Sequence, residues 1–542
     1  MPTKNKIAKR KTAFEDLGFK ETIEVISEQI RELYLSDEIP WVVGYSGGKD
    51  STATLQLVWY ALEKLPQEKW HKPVHVISTD TLVENPIVAL WVENSLETMK
   101  KVVSKHSDLF PIQPHRLTPE IQDRFWVNLI GRGYPAPRPK FRWCTSRLKI
   151  SPSNNFINNV VKQNGEAILV LGTRTAEGSS RASNAKKFRE GIKTKSVKQR
   201  DGTTQEIVTW EKENTRKEAN LSVSKDLDRA WVYTPIDDWS NDDVWQYLTQ
   251  VKNPWGYKNS DLLSMYSGAT EDGECPLVVD TSTPSCGDSR FGCYVCTMVD
   301  EDKSMKAMIL NDQEKEWMLP ILDFRNLWLS VSNEKREYRD FRRMNGQLTL
   351  YNEKLVHGPY TQKHRERMLS ALLEAQKITQ ELAPKEAKNF TLIGMDELEE
   401  IRRIWVTEKH EIEDTLPSIY QEIIGSTYPG RDIDERQSLK IDDLELLESI
   451  CKKHGDTEGV IYQLTRELLH IEHQNRTLVR RKGLFEEMQK SLKKSAFTTE
   501  KDALEFAKRR QQNLDESLDE ANNVDEYIIA TDTENNEEVI PS

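Results

Sequence analysis

The 542-residue chain is predicted to be an α/β protein: a parallel-sheet domain, then a cysteine-rich segment, then an α-helical C-terminal region. Three observations predict this. Short apolar runs alternate with helix-patterned stretches from about Ile39 to Leu248, as in parallel sheets covered by helices. Cysteines cluster before residue 300, in a stretch rich in Gly, Pro and Ser. Beyond it the apolar pattern becomes long and helical. The expected divisions are a helical segment 1–36, the sheet domain 37–252, the cysteine segment 253–300, a helical region 301–514 and an acidic tail 515–542. A chain of this length exceeds what one core serves.

In order, PWVVGY (Pro40–Tyr45) reads as the first strand, followed by a helix from Asp50 to about Lys64. PVHVIST (Pro73–Thr79) is the second strand and leads to a helix from Pro86 to about Val103. EAILVLGTR (Glu166–Arg174) and AWVYTP (Ala230–Pro235) are two more strands. Ser240 then caps a helix, with Asp243 three residues on to close a capping box. Residues 176–225 break the pattern and carry a basic run, Lys186 to Arg200, that reads either as a solvated loop or as a phosphate-contacting lid. From Asn253 to Thr297 no helical period is evident. DLELLESICKK and the stretch GVIYQLTRELLHIEHQNRTLVRRKGLFEEMQKSL are the clearest late helices.

The net charge of −12 is concentrated in the tail: residues 515–542 hold ten acidic groups and no basic one, so the remainder carries only about −2. Basic segments elsewhere therefore remain available to a polyanion. No apolar run reaches the roughly 18 residues a membrane span needs. The basic N-terminus lacks the apolar core of a secretory signal. The expected compartment is the cytoplasm, where six cysteines do not form a disulfide framework. Cys451, remote from the others, is expected to be a lone buried thiol.

YSGGKDS leaves the first strand and enters a helix, so backbone N–H groups and the helix N-terminus converge on one anion position. Gly47 and Gly48 permit close backbone approach, Ser46 and Ser51 donate hydroxyls, and Lys49 supplies positive charge. Asp50 fits as a helix cap or as a ligand of the Mg²⁺ that accompanies a triphosphate. The Walker pattern is absent. Asp80 and Thr81 end the second strand, where open α/β sheets bind ligands. Glu84 is either a third member of that group or a carboxylate at a helix start.

Cys144 and the spacing Cys275-x10-Cys286-x6-Cys293-x2-Cys296 bring enough thiolates to hold zinc or an iron–sulfur cluster. A structural zinc site usually has two C-x-x-C pairs, and this chain has one.

SGGKDS in its strand–helix setting resembles the PP-loop of the ATP pyrophosphatases, the adenine nucleotide alpha hydrolase-like fold. That resemblance implies ATP and Mg²⁺, with cleavage between the α and β phosphates. LGTRTAEGSSR is similar to the G-x-R-x-x-E-S-x-x-R stretch of phosphoadenosine phosphosulfate (PAPS) reductases, with Gly178 in place of the serine. It implies nucleotide contacts from Gly172, Arg174 and Arg181, with Glu177 at the same rim. In FRWCTSRLKI, Cys144 with Arg147 and Lys149 resembles another stretch of that group. In its cluster-bearing members such a cysteine joins a downstream C-x-x-C, implying a [4Fe–4S] cluster on Cys144, Cys275, Cys293 and Cys296, with Cys286 as the alternative ligand.

YSGGKDS, RWCTSRLK, CGDSRFGCYVCT and RDFRRMNG…HGPYT together are similar to the DndC family, over residues 20–380. These are the sulfurtransferases of DNA phosphorothioate modification. The resemblance implies exchange of a non-bridging phosphate oxygen of DNA for sulfur, with Lys49, Asp50 and Arg174 as catalytic residues. It implies a cysteine desulfurase as sulfur donor and other phosphorothioation proteins as partners. Lys186–Arg200 and Phe341–Gly346 are then candidate DNA-backbone contacts. A sulfonucleotide reductase, a tRNA thiolase and a non-enzymatic assembly protein are the competing readings. The reductases usually end on a catalytic cysteine, and none follows Cys451.

Overall fold

A computed structural model describes residues 12–106, 109–139, 141–175, 195–198, 204–207, 221–224, 227–269, 292–430, 441–476, 481 and 483–514. The chain divides into two compact units, one of residues 1–125, 137–329 and 375–392, the other of 126–136, 330–374 and 393–542.

The first unit is built on a six-stranded sheet. Its strands are β1 Trp41–Gly44, β2 Val74–Thr79, β3 Ile112–Leu117, β4 Ala167–Val170, β7 Ser222–Val223 and β8 Ala230–Tyr233, in the order β3-β2-β1-β4-β8-β7. Between β4 and β7 in sequence, β5 Lys195–Lys198 and β6 Thr204–Ile207 pair with each other as a separate antiparallel hairpin. The first five strands of the sheet run parallel and β7 pairs antiparallel at one edge. Both faces are buried, which is why the central strands read as continuous apolar runs. Trp41, Val43, Val74, Val76, Ile168 and Val170 face one core, with helices α1 Phe19–Leu35 and α2 Lys49–Glu63. Val42, Ile77, Ala167 and Leu169 face the other, against Ile157 and Val160 of α4 Ser151–Asn164. Between β2 and β3 runs α3 Pro86–His106. The capping box at Ser240 is present: its hydroxyl accepts from Asp243 N at 3.1 Å and Asp243 Oδ2 accepts from Ser240 N at 2.8 Å, opening α5 Asn241–Gln250.

Two elements depart from the sequence expectation. β3 was missed because Ile112–Leu117 holds Pro114, His115 and Arg116 and lies at the sheet edge, half exposed, where a residue without N–H is tolerated. The stretch after Asn253, read as lacking helical period, contains α6 Asn259–Gly268, which sends Leu262 fully into the core.

The second unit is mainly helical, with Met395–Arg403, Leu416–Ile424, Ile441–Lys453, Val460–Asn475 and Leu484–Lys494. The single long helical pattern expected after Gly459 is two helices, the second starting after Gly483 at φ +95°. Cys451 is buried, as expected. Arg466 pairs with Glu413 at 2.5 Å, and Arg365, also buried, pairs with Glu411. Arg342, expected to face a DNA backbone, instead is buried and spends its guanidinium on Asp340 at 2.7 Å and Gln463 at 3.0 Å, leaving Arg343 exposed. Among the described residues no helix is long and apolar enough to cross a membrane.

Candidate functional site

β1 ends at Gly44, and residues 45–48 turn directly into α2. The turn is closed from within. Ser51 Oγ accepts from Ser46 N at 3.1 Å, lies 3.1 Å from Ser46 Oγ, and donates to Gly48 O at 3.0 Å. Gly47 has φ +73°, and a Cβ there would stand 2.4 Å from Val92 Cγ2, so glycine is required twice over. The N–H groups at the first turn of α2 mark the positive end of its dipole.

Asp50 is held by two cations. Its Oδ2 is 3.1 Å from Lys49 Nζ, and its Oδ1 accepts from Arg174 Nε at 2.7 Å. Arg174 is buried and also donates to Trp239 O at 3.2 Å, which fixes the guanidinium. It comes from the loop after β4, and that loop touches α2 through Gly172, where a Cβ would lie 2.7 Å from Asp50 O. Tyr266 of α6, not anticipated from sequence, completes this corner. Its hydroxyl accepts from Lys49 N at 3.4 Å, and Lys49 Nζ stands 5.5 Å from the ring centroid. Burial pushes the Tyr266 phenol up to about 12, so it stays protonated. Leu262 and Tyr266, one helical turn apart and both inward, were the available signal.

At the end of β2 the predicted residues separate into two roles. Asp80 accepts from Leu82 N at 2.8 Å and from Arg116 Nε at 3.1 Å, and Arg116 also reaches Glu93 at 2.5 Å. Thr81 turns away toward the cysteines: its hydroxyl donates to Glu84 Oε1 at 3.0 Å and lies 3.6 Å from Cys293 Sγ. Glu84 thus gathers Thr81, Lys149 at 3.5 Å and Cys293 Sγ at 3.9 Å.

The C-x-x-C knuckle is seated on this loop by backbone pairing. Asn85 N donates to Gly292 O at 3.2 Å, Tyr294 N to Val83 O at 3.0 Å, and Cys296 N to Cys293 O at 2.9 Å. Arg325, fully buried and also unanticipated, donates to Cys296 O from Nη2 at 2.9 Å, to Asp300 O at 2.5 Å, and to Val299 O. One guanidinium therefore holds the last carbonyl of the knuckle and two carbonyls just beyond it. Cys144, Cys293 and Cys296 are free thiols, none in a disulfide. Cys296 acts electrostatically on both of the others. Burial pushes the Cys293 thiol up to about 12 and raises that of Cys144. Cys293 and the Glu84 carboxylate raise the Lys149 ammonium above its ordinary range.

The structure thus brings Ser46 to Ser51, Gly172 and Arg174 to one corner, and Thr81, Glu84, Lys149 and the three thiols to another, with Asp80 on Arg116 at the end of β2. Among the described residues no group of three or more His, Cys, Asp or Glu is arranged to hold a metal ion. Glu177, Arg181, Cys275 and Cys286 lie outside the described residues, as does most of the Lys186–Arg200 run.

Residues 40–256 match the phosphoadenosine phosphosulfate reductase domain family. The chain is also similar to an uncharacterized protein of Methanocaldococcus jannaschii, 24% identical over 313 residues. That match covers 57% of this chain and 44% of the relative, so the chain corresponds to less than half of that protein. Residues 40–256 form a PAPS reductase-like domain of the PP-loop superfamily, whose members are typically enzymes acting on nucleotide substrates.

Proposed function

We propose that the protein is an ATP-dependent sulfurtransferase that replaces a non-bridging oxygen of a DNA backbone phosphate with sulfur. The observation that carries the reading is the adjacency, at the ends of β1 and β2, of an anion-binding turn and a seated thiol knuckle. Thr81 on the short β2–α3 loop bonds toward Glu84 and Cys293, while Asp50 at the start of α2 gathers Lys49 and Arg174. In this reading nucleotide activation and sulfur chemistry meet at the carboxyl ends of the adjacent strands β1 and β2.

In this reading the N–H groups of residues 47–49 bind the β,γ-pyrophosphate of ATP. Lys49 and Arg174 neutralise the charge that develops on it as the α–β bond breaks. Asp50 Oδ2 would be the ligand for a Mg²⁺ arriving with the triphosphate, which would offset charge on the phosphates, while Asp50 Oδ1 is held by Arg174. The DNA phosphate oxygen takes the adenylyl group and pyrophosphate leaves. A cysteine desulfurase supplies sulfur as a persulfide, whose terminal sulfur attacks the phosphorus as AMP leaves with that oxygen. A second thiol then cleaves the resulting P–S–S–Cys bond, leaving sulfur on phosphorus and a Cys–S–S–Cys disulfide that a dithiol reductant reopens. Specificity for DNA would come with other proteins of a modification complex.

Cys144, Cys293 and Cys296 are free thiols, the donor chemistry a [4Fe–4S] cluster needs, with Cys275 or Cys286 as the fourth ligand, but among the described residues they are not arranged to hold one. Such a cluster would supply a sulfide or electron reservoir beside the activated phosphate. Arg325 and the pairing of residues 292–294 with 83–85 would position its ligands.

Mass spectrometry of nuclease-digested host DNA tests the reading. Phosphorothioate-linked dinucleotides are expected in cells with the gene and not in cells lacking it and its homologues; their persistence in the deleted strain overturns it. A sulfonucleotide reductase is the second reading, favoured by the family matched over 40–256. It predicts reduction of a sulfonucleotide by a dithiol without consumption of ATP.

A further inference from the structure

The stretch from Pro137 to Lys149 leads into Cys144 with five basic residues, Arg138, Lys140, Arg142, Arg147 and Lys149, and no acidic one, in a chain whose net charge is −12. Two of these charges are already answered, Arg147 by Asp123 and Lys149 by Glu84. Arg142 is exposed, and its guanidinium has no ion pair or hydrogen bond among the described residues. Beside it Phe141 is 45% exposed, an aromatic ring placed in water next to a cation.

Neither residue is on a loose loop. Arg138 and Phe141 exchange both backbone bonds, N to O at 3.2 and 2.8 Å, making a tight turn. On the near side Thr297, directly after Cys296, donates its hydroxyl to Pro137 O. On the far side Trp143 is buried and stacks on Phe125 with centroids 5.3 Å apart and planes 19° apart. The next residue is Cys144. The turn is therefore clamped between the C-x-x-C knuckle and the upstream cysteine, with an exposed aromatic face beside a guanidinium that is unpaired among the described residues.

Exposed aromatic faces beside arginines are how proteins hold unpaired bases without reading sequence, because every base has a π-face and every linkage a phosphate. We propose that the turn at residues 138–142 docks a nucleic-acid strand, stacking one unpaired base on Phe141 and holding a backbone phosphate on Arg142. The clamp then sets that phosphate beside the thiols. The proposal rests on the acceptor being a nucleic-acid phosphate and adds the surface that presents it.

The test uses the full chain and a fluorescein-labelled single-stranded oligonucleotide, with anisotropy titrations at about 50 and 200 mM salt. The wild type is expected to bind with marked salt dependence. Phe141→Ala is expected to weaken binding about 5- to 150-fold, the loss of one stacked base. Arg142→Gln is expected to reduce the slope of log K against log salt by about 0.7. Both variants should keep wild-type ATP affinity, which also reports folding. Absence of wild-type binding at low salt overturns the proposal, and so does wild-type affinity in Phe141→Ala. Pyrophosphate release from ATP is measured on the same samples. Cleavage without oligonucleotide binding removes the docking element and leaves the nucleotide reading standing; binding without cleavage does the reverse.

Discussion

Gly172→Ala places one methyl group where two segments of the site touch. The new Cβ would stand 2.7 Å from Asp50 O, 2.8 Å from Asp50 C and 3.0 Å from Ser51 N, all backbone atoms that cannot rotate aside. Ordinary contact begins near 3.4 Å, so the start of α2 and the β4 loop must separate by roughly 0.7 Å. Overpacking of this kind costs about 1–3 kcal/mol. The displaced residues are Asp50, Arg174 and the N–H groups of the turn, where an ångström of misplacement costs up to about 100-fold in rate. The expected result is a lower urea midpoint at unchanged m-value, with pyrophosphate release from ATP reduced about 10- to 100-fold. Gly268→Ala is the matched control: nothing lies within 4 Å of its Cβ position and its φ is not positive, so it should be neutral or stabilising by about 0.4–1 kcal/mol. A Gly172→Ala protein with wild-type midpoint and wild-type turnover would refute the close-approach argument.

Asp50→Asn keeps an acceptor for Arg174 but removes the charge proposed to meet Mg²⁺, so the protein should stay folded by circular dichroism while pyrophosphate release falls at least about 100-fold. Arg325→Met withdraws the donor shared by Cys296 O, Val299 O and Asp300 O. Charge-assisted bonds of this type contribute about 1.5–3 kcal/mol each, and the knuckle should open locally before the domain unfolds. The readout is a faster reaction of Cys293 with a thiol reagent; an unchanged rate would count against Arg325 as the knuckle's anchor. On the opposite face of the sheet, His75 Nδ1 is 3.1 Å from His115 Nε2, with Phe156 against both rings. Burial, then His115, lowers His75 from 6.5 to about 4, and burial, then Lys100, lowers His115. The unfolded chain binds these protons first, so their stability contribution is complete above pH 6.5 and lost as pH falls toward about 4. Urea midpoints should therefore drop between neutral pH and about pH 5, and drop less in His75→Phe.

Much of the turn at the start of α2 was legible because its signals are local. A glycine pair, a lysine and an aspartate between an apolar run and a helix specify a turn whatever surrounds it, and Ser240 with Asp243 specify a cap. What escaped was non-local. Tyr266 reaches Lys49 across more than two hundred residues of sequence. Arg325 is one arginine among many until the carbonyls of 296–300 are seen around it. β3 hid because an edge strand needs no continuous apolar run and can hold Pro114. The inward turn of Arg342 shows the opposite error, in which a basic string read as surface proves to be a buried ion pair with Asp340.

In the proposed reaction the turn after β1 binds ATP for cleavage between its α and β phosphates. Incubating the purified full chain with ATP, Mg²⁺, DNA and a cysteine desulfurase with cysteine, then separating the nucleotides by chromatography, tests it directly. AMP and pyrophosphate in equal amounts, lost in Asp50→Asn, is the predicted result; ADP and phosphate, or ATP left intact while a sulfonucleotide is reduced, would contradict it.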